Sequence, residues 1–513
     1  METASAIHKI IPAKAGRKEW IGLAVLALPT LLVAMDATVT YLALPALSAT
    51  MKPSSAQLLW ITDVFTFLEG GLLITMGTLG DRIGRRRLLL TGAVAFAIAS
   101  AFAAFSSTPG MLIAARALLG VAGATLLPST LSIIRNMFHD NAQRTFAIGI
   151  WTTCFAAGTM LGPLLGGMLL DHFWWGSVFL IGAPVMLLFV ILGPLLLPEF
   201  KDPGASRMDL FSALLSLLAI LSVIYGVKHI AENARLEIVS SIAIIVGLVL
   251  AGVFIRRQQK LADPLIDLRL FKITAFRSTL VALLVSLFCW SGLYLFIAQY
   301  LQLVLDMDPL RAGLWTIPAA AVSMVGCMLA PVTVRKIRRG YMMAIGMTMM
   351  SVGLFMLSQI QITLGLSYLV AASIILSFGC GITVTLGVDM VVATAPPERA
   401  GAAAGLYETS TTLGTALGVA ILGSIGTAVY RGKMGVAVSN LSEDVIRAAK
   451  GTLGGALAVA KQVPGSSGAM LLSTAREAFV QSMRFSAMVA AVLLITTAVV
   501  TAVLLGLAGM SKD

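Results

Sequence analysis

Apolar runs of about twenty residues, separated by short polar stretches, recur along most of the 513 positions. At ~1.5 Å per residue, a run of that length crosses the ~30 Å hydrocarbon core of a bilayer as one helix. The pattern predicts fourteen spans, near residues 20–45, 56–78, 88–106, 110–134, 145–170, 176–197, 209–228, 237–255, 275–302, 310–333, 341–358, 367–392, 400–429 and 484–507. Most connections are short. The exception, Tyr430 to Met483, reads as two helical stretches around the turn PGSSG at Pro464–Gly468. Ser442 followed by Glu443 and Asp444 resembles a helix start. A disordered loop is the alternative.

Composition agrees with this pattern. Hydrophobic residues make up 58% of the chain and charged residues 12%, with mean hydropathy +0.94. Soluble domains carry about a quarter charged residues. The chain is therefore read as an all-α, multi-span membrane protein, its 48 glycines suiting close helix packing. The net charge of +12 would suggest nucleic acid in a soluble protein. Here the bilayer is the expected partner and nucleic acid is not, because the basic residues gather in alternate loops. With the N-terminus inside, inside loops hold 24 Lys and Arg and short outside loops hold 4. Both termini are expected in the cytoplasm. The apolar run interrupted by Asp36 is too long for a cleaved signal peptide. Cys154, Cys289, Cys327 and Cys380 all fall in apolar runs and read as buried thiols. No Walker A, HExxH or CxxCH motif occurs, so neither an enzyme nor an ATP-driven pump is expected, and no metal or cofactor.

Ionisable residues inside the spans are few: Asp36, Asp63, Glu69, Arg116 and Glu408, with Asp389 nearer an end. Charge at that depth is costly and marks function by default. His8, His139, His172 and His229 lie in tails or loops, so a proton relay must use carboxylates. Asp63 lies one helical turn from Trp60 and from Phe67. A carboxylate beside aromatic faces suits a lipophilic cation; the alternative is that both rings face lipid. Glu408 follows Tyr407 in LYETSTTLG. Glu69 points ~240° around the helix from Asp63. It either reaches a cavity or packs as a neutral donor between helices, where Gly70 and Gly71 allow close approach.

Several motifs are more specific. GTLGDRIGRRRLLL, Gly77 to Leu90, has the spacing G-x-L-x-D-x-x-G-R-R, carried by Gly77, Gly80, Asp81, Arg82, Gly84, Arg85 and Arg86. Its glycines allow a tight turn, Asp81 can cap or pair, and its arginines are expected to face anionic headgroups. GTMLGPLLGG supplies Gly158, Gly162, Pro163, Gly166 and Gly167, and RALLGVAGA supplies Arg116, Gly120 and Gly123. With DATVTYLALP, LLWITDVFTF, WWGSVFLIGAP and DPLIDLRLF, these stretches resemble the major facilitator superfamily. Within it they resemble the fourteen-span drug:proton antiporters, the quaternary-ammonium and dye exporters of the QacA, SmvA and LfrA kind.

The resemblance implies two six-helix bundles, residues 1–200 and 261–513, with two helices inserted in 201–260 and the long outer loop at 430–483. It implies a monomer in the cell membrane that exchanges protons for cationic drugs: quaternary ammonium biocides, dyes, and fluoroquinolones as a further candidate. A symporter or facilitator for a small metabolite is the alternative. It puts Asp36 and Arg116 in one bundle at matching depth, so the two can interact. Proton coupling is then assigned to Asp36, Arg116 and Glu408, and substrate contact to Asp63, Trp60, Phe67, Glu69, Tyr407 and Glu408. Each has a plainer reading: a structural ion pair for Asp36 and Arg116, packing for the rest. The chain departs from some relatives at Ser323 and Thr412, where they carry acids. The methionines of the eleventh span are expected to pack rather than line a pocket.

Overall fold

Hydrocarbon offers no hydrogen-bond partner, so each apolar run must satisfy its own backbone, and helix is the form that does so. The computed structural model describes residues 14–53, 55–201, 209–233, 238–261, 264–362, 365–437, 449–450, 452–460 and 466–510. The first helices are α1 (Arg17–Met51), α2 (Ser55–Ile83), α3 (Arg85–Ala104), α4 (Pro109–Met137) and α5 (Asn141–His172). The next are α6 (Ser177–Leu180), α7 (Gly182–Leu196), α8 (Leu210–Asn233) and α9 (Ile238–Lys260). Then come α10 (Thr274–Gln299), α11 (Pro309–Thr333), α12 (Arg339–Ser358), α13 (Gly365–Thr394) and α14 (Ala400–Ala437). The last are α15 (Leu453–Ala460) and α16 (Ser466–Met510).

Among the described residues, thirteen helical stretches are long and apolar enough to cross a membrane. The fourteenth long helix, α2, carries Asp63, Glu69, Asp81 and Arg82. The expected span 176–197 is broken at Ile181 into α6 and α7, and the expected span 484–507 is only the later part of α16. Within 430–483, α14 continues to Ala437, α15 follows, and α16 starts at Ser466. Ser442, Glu443, Asp444 and the first half of the PGSSG turn lie outside the described residues.

Local chemistry sets the helix starts. Thr108 accepts from Met111 N ahead of Pro109, Asp140 accepts from Gln143 N, and Asp308 accepts from Arg311 N ahead of Pro309. Apolar residues such as Ile98, Leu195 and Leu248 are exposed, as helices facing lipid require. The four cysteines are free, with Cys289, Cys327 and Cys380 buried. Met342, Met343, Met347 and Met350 pack in the core, as their sequence predicts.

Two groups of helices form. In the first, α1 packs on α5, α2 on α4, and α3 on α4 and α7; in the second, α10 packs on α14, α11 on α13, and α12 on α13 and α16. Across the divide α2 lies along α14, and α5 along α11 and α13. The α8–α9 hairpin leans on α2 and α14. Polar contacts tie it down at the end that bears the basic loops. Arg257 pairs with Asp209 at 2.8 Å, and Gln258 joins Ser212 Oγ to Leu265 N. Burial would raise the Asp209 carboxyl, but hydrogen bonds from Ser212 and Arg257 outweigh it and hold that group below its usual range.

The α2–α14 seam is tightest at that same basic end. A Cβ on Gly77 would lie 2.2 Å from the Gly401 carbonyl oxygen, and one on Gly401 would lie 2.4 Å from the Gly77 oxygen. Only glycine permits this approach. Gly401→Val should therefore force the seam apart, costing about 1–3 kcal/mol of overpacking. A thermal melt of the purified protein checks this, and a lowered Tm is expected. Gly432→Ala, on the same helix but in open space, should melt like the wild type.

Candidate functional site

The deepest charges come from three neighbouring helices. Arg116 on α4 is 1% exposed and Asp36 on α1 is 5% exposed. Arg116 Nη1 donates to Asp36 Oδ2 at 2.5 Å, and its Nε donates to the Ile61 carbonyl at 3.3 Å. The guanidinium lies 4.6 Å from the Phe65 ring centroid and 5.7 Å from that of Phe179. The pair that depth predicts is therefore in direct contact. Arg116 thereby ties α4 to α1 and α2.

Glu69 on α2 approaches the same centre. Its Oε1 packs over Gly123 of α4, and it interacts electrostatically with Asp36 and Arg116. Glu408 on α14 is 7% exposed and interacts with Glu69 across the seam. Oε1 of Glu69 and Oε1 of Glu408 are shielded from solvent and lack a hydrogen-bond partner among the described residues. Tyr407 is buried in the second group, near Cys327 and Cys380.

Asp63 is half-buried, about one and two-thirds turns from Glu69 on α2. The Trp60 and Phe67 rings meet each other edge to face, 6.3 Å apart, so they do not sandwich the carboxylate between them. Phe67 is buried, and Trp60 is 46% exposed. Thr412, where some relatives carry an acid, packs its methyl over Gly70 at the seam.

The signature loop forms a second cluster, at the basic end. Asp81 accepts from the backbone N–H groups of Gly401 and Ala402, both at 3.0 Å, and from Arg85 Nε at 2.8 Å. Arg85 Nη2 donates to the carbonyls of Pro397 at 2.6 Å and Glu398 at 3.0 Å. A carboxylate on the first turn of α14 is favoured by the helix dipole. Headgroup contact was expected for these arginines. Instead Arg82 and Arg85 are buried, because backbone carbonyls across the seam claim Arg85; only Arg87 is well exposed. Gly84 holds φ 114°, a conformation glycine adopts freely, and Glu199 receives the backbone N–H groups of Arg86 and Arg87. Gly80 packs on Leu88, and Arg86 donates to the Leu197 carbonyl.

Glycines of the second motif serve contact within the first group. Gly158 approaches the Leu31 carbonyl of α1 and Gly162 that of Met35. Gly166 is buried, Gly167 is half-buried, and the Pro163 side chain lies outside what the structure describes.

One cluster was not legible. Asp389 at the end of α13 accepts from Arg144 Nε at 2.9 Å and Thr145 Oγ1 at 2.7 Å, and pairs with Arg339 at 3.3 Å. In the sequence Arg144 and Arg339 count only toward loop charge. An acid at a span end was the available signal. Nearby, Thr152 and Thr385 hydroxyls lie 2.9 Å apart across the same divide. Alanine at Arg144 or Asp389 would strand a buried charge, a loss of about 3–5 kcal/mol each. The double variant should cost less than the two single losses together by about 1–3 kcal/mol. Denaturation of the four proteins in detergent measures that coupling.

Comparison with known proteins adds to this geometry. The sequence profile described as Major Facilitator Superfamily matches residues 26–419. The chain is 42% identical over 486 residues to the multidrug efflux pump LfrA of Mycolicibacterium smegmatis, covering 95% of this chain and 96% of the relative. It is 32% identical over 465 residues to the methyl viologen resistance protein SmvA of Salmonella typhimurium, covering 91% and 94%. Among solved structures, the human organic anion transporter MFSD10 superposes with TM-score 0.62 over 93% of this chain and 99% of that one. At 15% identity that likeness speaks for the fold alone.

Proposed function

We propose that this chain, which belongs to the major facilitator superfamily, exports lipophilic cationic compounds across the cell membrane in exchange for protons. The candidate cargo is quaternary ammonium biocides, cationic dyes and fluoroquinolones. One observation carries the reading. Three carboxyls, Asp36, Glu69 and Glu408, share an apolar centre with a single guanidinium, Arg116. If all were ionised, two negative charges would remain unbalanced where solvation is poor, a large penalty. Mobile positive charge must balance them, and protons or a cationic substrate can each do so. The names of the relatives, a multidrug efflux pump and a methyl viologen resistance protein, support the same reading.

The lysine and arginine bias supports a cytoplasmic basic end and cytoplasmic termini. A seam shut at that end corresponds to the outward-open state of alternating access, with bundles 1–200 and 261–513 rocking about the centre and 201–260 inserted between them. Inward proton flow supplies ~2.3 kcal/mol per charge per 100 mV, plus the pH term. In this scheme Asp36 and Arg116 link protonation to movement and Glu408 takes part in both exchanges. Asp63 and Trp60 line the approach, Trp60 offering an exposed ring face to a cation, while Phe67 and Tyr407 are buried behind them.

Proteoliposomes under an imposed pH gradient test the proposal. Wild-type protein should drive uptake or release of ethidium according to the direction of the gradient. Asp36→Asn, at equal insertion, should fall to the background of empty vesicles. Gradient-driven transport by Asp36→Asn at the wild-type rate would overturn its coupling role. A susceptibility panel of dyes, quaternary biocides, fluoroquinolones and tetracyclines would set the range of substrates.

A further inference from the structure

Helix α10 brings almost no charge to the second group. Within Thr274–Gln299 the only charged side chain is Arg277, at the basic end. What the helix offers further along is aromatic surface. Trp290 and Tyr294, one turn apart on one face, stack with ring centroids 5.2 Å apart and planes 17° from parallel. Trp290 is half-buried and packs on the core, whereas Tyr294 is 45% exposed. The pair is a ledge, with the indole behind and the phenol in front.

The other faces of α10 are taken. Ser291 and Gly292 meet α14, Cys289 donates to the Ala490 carbonyl of α16, and Leu283 packs over Gly387 of α13. The Tyr294 hydroxyl reaches α11 instead. Thr316 donates its own proton to the Gly313 carbonyl at 2.7 Å, so its oxygen accepts from Tyr294. Thr316 lies seven residues before Ser323 and eleven before Cys327, on one face of α11. Along that face Ser323 meets Gly381 of α13, and Cys327 meets Gly149 of α5. Since α5 belongs to the first group, Tyr294 is held on the side of the second group that looks across the divide. Depth agrees. Away from the basic end, Tyr294 lies five residues before Gln299, and Trp60 lies five residues after Ser55. At ~1.5 Å per residue the two exposed rings are at similar depth.

We propose that the Trp290–Tyr294 ledge is the second group's half of the substrate site and that it selects planar aromatic cations. This rests on the export reading above. The two groups divide the work. The first supplies carboxylates, which balance the charge of any monocation whatever its shape. At this depth α10 supplies ring faces and no charge, so it adds affinity only for a ligand that can stack. A flat cation such as ethidium gains both stacking and cation–π attraction on Tyr294. An aliphatic quaternary ammonium has no ring to stack. The bond to Thr316 fixes the phenol before a substrate arrives, which lowers the ordering cost of binding.

The test reads binding at equilibrium, with no gradient. The purified full chain in nanodiscs is titrated calorimetrically with ethidium and with tetrabutylammonium. Tyr294→Leu, which removes the ring but keeps apolar bulk, should lower the ratio of ethidium to tetrabutylammonium affinity by about 3–10-fold. Tyr294→Phe keeps the ring and should keep that ratio near the wild-type value. An unchanged ratio in Tyr294→Leu, or an equal drop in Tyr294→Phe, would overturn the proposal. So would a wild-type protein that does not bind ethidium. Photolabelling of the wild type with ethidium monoazide needs no variant at all. Adducts should form on the α10 peptide that holds Trp290 and Tyr294, and excess tetraphenylphosphonium should suppress them. Labelling that spares α10 would sink the assignment. None of these results touches the export reading, which fails only if gradient-driven transport is absent.

Discussion

Arg116 is the fixed point of the interior. A guanidinium keeps its proton in any protein environment, and at 1% exposure it cannot borrow solvation from water. Asp36 is therefore obligatory as its partner, and the Phe65 and Phe179 rings and the Ile61 carbonyl complete the surroundings. Because those groups come from several elements, Arg116 also fixes how α1, α2 and α4 sit together. Gly120, one turn along α4, lets the Phe65 backbone approach and so holds α2 against it. Every further acid in the centre is then an excess over this pair, and the excess is what makes the centre responsive to protons and cations.

The charges at the basic end obey a different rule. Asp81 binds the two N–H groups that start α14, Arg85 binds two carbonyls ahead of that helix, and Asp389 gathers donors from α5 and α12. All of these contacts except the Asp389–Arg339 pair cross between the two helix groups, and they lie where the helices end. When they part, water can take their place, and the net cost per hydrogen bond is only about 0.5–1.5 kcal/mol. No such exchange is open to Arg116 and Asp36. The molecule thus separates permanent polar contacts, within a group and deep, from breakable ones, between groups and at an end.

Much of the fold could be read in advance because hydrocarbon imposes one secondary structure and one length on each crossing segment. The Asp36–Arg116 pair was accessible by counting helix rise, once the two helices were placed together. The Glu69–Glu408 proximity was not. Periodicity gives the angle of Glu69 relative to Asp63 but says nothing about which helix faces that angle; it took the Gly77–Gly401 contact to set the register. The partners of Asp389 were missed for a related reason. A loop arginine such as Arg144 or Arg339 carries the same orientation signal whether it meets lipid or a carboxylate, so sequence charge counts cannot separate the two. The buried Arg85 shows the same failure inside a recognised motif.

The α8–α9 hairpin follows from these same distinctions. Its polar ties are confined to one end, where Gln258 bonds Leu265 N and Thr78 of α2 bonds the Leu265 carbonyl. Along its length the packing is nearly all apolar: Leu217 and Leu221 lie over Gly71, and Ile224 lies near Gly70; a long Thr75–Ser216 contact is the exception. Apolar packing in a bilayer is cheaply exchanged, because lipid tails are as apolar as leucine. A hairpin anchored to α2 by hydrogen bonds and resting on α14 through van der Waals contact therefore resists separation from α2 far more than sliding of α14. It flanks the seam, packed against both α2 and α14.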